Sequence, residues 1–171
     1  MLPKNYEVPK SEGNYLRLQQ GENTFRVLSS AIVGWVGWVQ DKDGKRKPQR
    51  YPMDQRPTDT NIFDQGRLNH FWAFIVWNVE DERIQIMEIT QKTIQQAIKA
   101  LIDNKKWGDP KNYDITITRV GEKLDTEYTV MPNPHTEISD AILAQMEYKE
   151  IDIEKLFTGE DPFGKEEEEE E

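Results

Sequence analysis

The sequence predicts a mainly β fold with helices: five strands curled into a small, partly open barrel, a helix between the third and fourth strands, a second helix further on and an acidic end. Three observations predict it. Apolar residues alternate with period two over several stretches, the period switches once to 3.6 midway along the chain, and the last six residues are all glutamate.

The first strand is read from "NYLRLQQGENTFRVLSSAIVGWVGW", which alternates and is rich in β-branched and aromatic residues, with Gly21 as a turn. Residues 23–39 form one long strand in this reading, bent at Gly34 and Gly37. Residues 40–69 follow as a polar connection interrupted by Pro48, Pro52 and Pro57, and a connection of that length usually carries function. "HFWAFIVWNV", residues 70–79, is a strand apolar on both faces. Phe71 and Trp77 are expected in the core, because they share a face with Ala73 and Ile75, and Trp72 and Phe74 on an exposed face. "EDER" turns the chain into the third strand, residues 83–90.

The helix comes next. Thr90 is the expected N-cap, and Ile94, Ala97, Ile98, Leu101 and Ile102 recur at the spacing of an apolar stripe; "WGDP", ending at Pro110, stops it. Residues 113–120 and "TEYTVMP" supply the last two strands, and residues 137–148 a second amphipathic helix through Ile138, Ala141, Ile142 and Met146. Strand, strand, strand, helix, strand, strand is the order of the OB-fold, a five-stranded Greek-key barrel, although other α+β packings share it. In that fold residues 40–69 and 119–125 occupy the two loops that grip oligonucleotides.

The charge of −10 is unevenly placed. Residues 147–171 carry net −9 and residues 1–146 only −1, which divides the chain into an expected domain, 1–146, and an acidic tail, 147–171. "KDGKRKPQR", residues 42–50, holds five bases against one acid. With no cysteine there are no disulfides or thiolate metal sites, and no stretch approaches the roughly 20 apolar residues of a membrane span. A soluble, cytoplasmic protein is expected, with no membrane contact.

Binding an unpaired polynucleotide without reading its sequence takes cations for the phosphates and flat rings for the bases. The cations are Lys42, Lys45, Arg46, Lys47, Arg50, Arg56 and Arg67; the rings are Trp35, Trp38, Tyr51, Trp72 and Phe74. Trp35 and Trp38 have opposite parity, so one of the two is expected to be exposed. An ordinary solvated hairpin tip is the competing account of the same charges. Catalysis finds little support: His70 and His135 stand far apart, Asp54, Asp59 and Asp64 lie in a loop that fixes no geometry, and no phosphate loop, nucleophile elbow or zinc signature appears. No enzymatic activity, metal or cofactor is expected.

Taken together, "GENTFRVLSSAIVGW", "FWAFIVWN", "IQIMEITQKTIQQAIKAL", "KWGDPKNYDITITRVGEKLDTEYTV" and the acidic end resemble the bacteriophage single-stranded DNA-binding proteins, OB-fold replication proteins with an acidic C-terminal tail. The resemblance implies coating of single strands in replication, recombination and repair in the host cytoplasm, with the tail docking polymerase, helicase or primase. It marks Asp161, Phe163, Glu166, Glu167, Glu168, Glu169, Glu170 and Glu171 as the partner-binding tail. "DPF", residues 161–163, resembles the acidic-aromatic tip of such tails, although Phe163 precedes eight further residues. A polyanion tethered beside a cationic groove competes with DNA for it, at an effective concentration that reaches the millimolar range for short linkers. An acidic DNA mimic that blocks a host enzyme is the alternative; it accounts for the tail but not for the basic loop.

Overall fold

The computed structural model describes Met1, Pro3, Lys4 and residues 13–164. The chain builds seven strands, β1 (Gly21–Val27), β2 (Ile32–Gln40), β3 (Arg46–Pro52), β4 (Asn69–Asn78), β5 (Arg83–Ile89), β6 (Tyr113–Val120) and β7 (Glu127–His135), with two α-helices, α1 (Lys92–Asp103) and α2 (Asp140–Lys149). All neighbours are antiparallel, in the order β3-β2-β4-β1-β6-β7, and β5 pairs with β4 outside that path. The sheet is open. The five strands expected become seven for two reasons, both visible in the pairing.

First, the long strand over residues 23–39 is interrupted. β2 occupies one stretch of β4 (Ile32↔Ala73 to Val36↔Asn69) and β1 the next (Phe25↔Asn78 to Val27↔Val76). Between them the Ser29 hydroxyl accepts the Ile75 amide at 2.8 Å, in place of a ladder carbonyl, so the chain bends without orphaning a buried N–H. Gly34 and Gly37, expected at the bend, lie inside β2. They are glycines because of crowding: a Cβ on Gly34 would sit 2.1 Å from the Tyr51 carbonyl oxygen, and one on Gly37 2.4 Å from the Phe63 ring. Second, the polar connection contains β3. Pro48 and Pro52 are tolerated there because β3 is an edge strand, where a missing N–H costs little.

Both faces of β4 are buried, and what covers them differs. On one face Phe25, Val27, Phe74, Val76, Met87 and Ile115 form a core closed by Ile94 and Ile98 of α1. Thr90 does not cap α1; the helix begins after Gln91 with no side-chain cap. Ile102, at the end of the expected stripe, is exposed. On the other face Val36, Phe71, Ala73 and Ile86 are covered by residues 151–163, with Leu156 4% and Phe163 6% exposed. These residues lie inside the span read from charge as a tail. Burial of a ring the size of phenylalanine contributes roughly 1.5–3 kcal/mol, which outweighs the weak repulsion of solvated carboxylates around it. α2, capped by Ser139, buries no residue: Ile138, Ile142 and Met146 are half-buried and Ala141 is exposed, so its expected apolar face is only weakly engaged. Among the described residues no helix is long and apolar enough to cross a membrane.

Candidate nucleic-acid interface

β4 pairs with β2 only as far as Val36, whereas β3 follows β2 to Gln40↔Arg46. The β2–β3 hairpin therefore projects beyond the rest of the sheet. Its turn is tied by Asp41, whose carboxylate accepts the amides of Asp43 and Lys45 at 2.9 Å each, with Gly44 supplying the positive φ of 81°. Lys42, Lys45, Arg46 and Lys47 are all exposed on this projection.

Two tryptophans stand under guanidinium groups. Arg46 lies 5.2 Å from the Trp38 ring and Arg56 4.4 Å from the Trp35 ring. Trp38, 42% exposed, is the more open of the two, in line with their opposite parity. Trp35 is half-buried: it donates its indole N–H to the Met53 carbonyl at 3.1 Å and tilts against His70 with centroids 5.3 Å apart. Tyr51, directly across from Trp35, meets the buried Phe63 edge-on. Arg46 also reaches Asp64 at 2.8 Å, but both side chains are about half exposed, and such a pair contributes little beyond orienting the guanidinium.

Not every expected residue joins this surface. Phe74 is 3% exposed and packed into the core under α1, which corrects its expected place on an exposed face; the stripe of α1 needs that ring as its partner. Trp72 is half-buried against the same core. Arg50 points to the opposite face of the hairpin from Tyr51, where it donates to Glu88 at 2.6 Å and lies 5.9 Å from the Phe71 ring. Arg67 is exposed just before β4.

Phe163 is not a presented tip. Its ring is buried against Tyr15, and the turn that inserts it is held by its amide donating to Asp161 at 2.9 Å and by the Asp152 amide donating to the Pro162 carbonyl at 2.9 Å. Residues 166–171 lie outside the described residues. Beside the anchor, a cavity of about 890 Å³ separates β3 from residues 158–162, with Lys47, Arg50 and Tyr51 on one wall and Glu160 and Asp161 on the other. Tyr15, at its edge, has its phenol pKa pushed up chiefly by burial and further by Asp161 and Glu88, with Arg50 opposing. Sequence reasoning missed Tyr15, Phe63 and His70 here. Only His70, two residues from Trp72 on the same strand face, left a signal that could have been read. Among the described residues no group of three or more His, Cys, Asp or Glu could hold a metal ion.

The chain is 23% identical over 139 residues to a probable ssDNA-binding protein of Escherichia phage T5, a match taking in 68% of this chain and 53% of the relative. The chain thus spans about half the length of that relative. No protein-family profile and no solved structure matches it.

Proposed function

We propose that this protein binds single-stranded DNA with little sequence preference, on an OB-like sheet whose β2–β3 hairpin supplies the grip. The observation that carries the reading is the projecting hairpin itself, which exposes Lys42, Lys45, Arg46 and Lys47 together with Trp38, against whose ring Arg46 lies. Phosphates exchange their counterions for these cations, and bases lie against the indole edges and guanidinium planes, which accept any base because every base has a π-face. The similarity to the phage T5 protein supports the same class.

The binding role is non-enzymatic, and coating of single strands in phage replication, recombination and repair follows from it. In the same reading the chain divides into a binding domain, residues 1–146, and an acidic region, residues 147–171, whose first part is anchored through Leu156 and Phe163. In this reading the glutamates of residues 166–171, tethered through that anchor, compete with DNA for the hairpin and, when displaced, are offered to polymerase, helicase or primase. Intrinsic tryptophan fluorescence titrated with oligo(dT) at low and at high salt tests the reading: saturable quenching that weakens steeply with salt supports it, and a flat response at low salt overturns it.

A further inference from the structure

The aromatic row on the hairpin continues past it. On one face of the sheet Trp35 lies across from His70, and two residues along the same strands Val33 lies across from Trp72. Beyond that pair the ladder breaks at residues 28–31, and the space between the break and α1 is a groove of about 600 Å³. Its floor is the buried core (Val27, Phe74 and Ile98), while Val33 and Ile102 on its rim are 41% and 44% exposed. Lys111 and Asp109 stand at the same rim: the Asp109 carboxylate accepts the Lys111 backbone amide at 2.9 Å, while among the described residues the Lys111 ammonium forms no ion pair, and Lys99 is engaged by Asp103. Trp35 and Trp38 each carry a guanidinium, whereas Trp72 carries none among the described residues.

We propose that this groove takes an unstacked nucleobase of the strand that the hairpin holds, with Trp72 as the stacking platform and Lys111 against the neighbouring phosphate. The proposal rests on the single-strand reading of the hairpin. A base is the occupant rather than an apolar peptide because the groove is continuous, on one sheet face, with the Trp35–His70 pair, and because Lys111 on its rim is a cation that no carboxylate pairs with among the described residues. An apolar floor with one aromatic wall holds any base without hydrogen-bond readout, in keeping with low sequence preference.

The test uses the full chain, fluorescein-labelled oligo(dT), and inorganic polyphosphate as a polyanion without bases. Trp72→Leu keeps an apolar, though smaller, side chain against the core and removes the platform; Ser30→Trp, placed on the exposed rim, fills the groove over its apolar floor. Each is expected to lower oligo(dT) affinity roughly 5- to 100-fold, with the salt slope and the polyphosphate affinity unchanged. Lys111→Ala is expected to reduce the salt slope by about 0.7. If the wild type binds oligo(dT) and both groove variants bind it equally well, the groove is overturned while the hairpin stands. If the wild type binds no oligo(dT), the hairpin reading falls and takes the groove with it.

Discussion

Phe163 meets Tyr15 edge-on, ring centroids 6.1 Å apart and planes at 78°, so that a residue eight places from the end of an acidic chain is part of the packed structure. Phe163→Ala should therefore destabilise the fold by about 3 kcal/mol, since it empties a buried aromatic site. Urea unfolding followed by fluorescence measures this. An unchanged midpoint would mean that the ring is not held in the slot.

Arg50 and Glu88 form a pair whose side chains are only 12% and 22% exposed. Removing one partner leaves a partly buried charge alone, so Glu88→Gln should cost about 2 kcal/mol. A double-mutant cycle with Arg50→Met isolates the coupling. A coupling near zero would return Arg50 to the DNA-binding surface as a free cation.

Deleting residues 165–171 should tighten oligo(dT) binding, most strongly at low salt, because the tethered competitor is removed while the Phe163 anchor remains. Fluorescence anisotropy with and without the deletion reads the difference. Equal affinities at low salt would leave the glutamates without a role at the hairpin.

Burial pushes the phenols of Tyr15 and Tyr113 above their ordinary pKa, with Asp109 adding to the rise at Tyr113. A folded-state pKa raised above the unfolded one means that the folded protein holds the proton more tightly. The associated stability is fully present below pH about 10 and is lost as pH climbs through the raised values. Thermal melts at stepped alkaline pH, with tyrosinate absorbance recorded in parallel, should show both tyrosines ionising late in the folded protein and melting temperatures falling over that range. Ionisation at the ordinary tyrosine pKa without unfolding would contradict it.

Much of the sheet was legible because alternation is a local signal. The strand over residues 70–79 showed two apolar faces, and both are buried from Ala73 to Val76, whereas Trp77, expected in the core, is half-buried and Val79 is exposed. What covers them was not legible to the same degree. The α1 stripe announced itself through Ile94 and Ile98, yet nothing around Trp72 and Phe74, flanked by the polar His70 and Asn78, signals that they face it; flanking polarity says nothing about a helix that packs from 20 residues away. The other cover, Leu156 and Phe163, sits among carboxylates whose charge pattern reads as solvated chain, and no periodicity links it to β4. Gly34 and Gly37 marked close contacts with Tyr51 and Phe63 rather than a bend, a distinction that only the folded neighbours reveal. For the interface, the cations of residues 42–50 and the opposite parity of Trp35 and Trp38 were readable directly, whereas the engagement of Arg50 by Glu88, 38 residues further on, was not.

The central claim is that the projecting β2–β3 hairpin holds single-stranded DNA through its cations. The most direct measurement is the salt dependence of oligo(dT) affinity for the full chain and for the Lys45→Ala, Lys47→Ala double variant. With two phosphate contacts removed, the slope of log affinity against log salt should shrink by about 1.4 and binding should weaken at every salt concentration, with the fold unchanged by circular dichroism. A variant that binds with the wild-type slope and affinity would contradict the account.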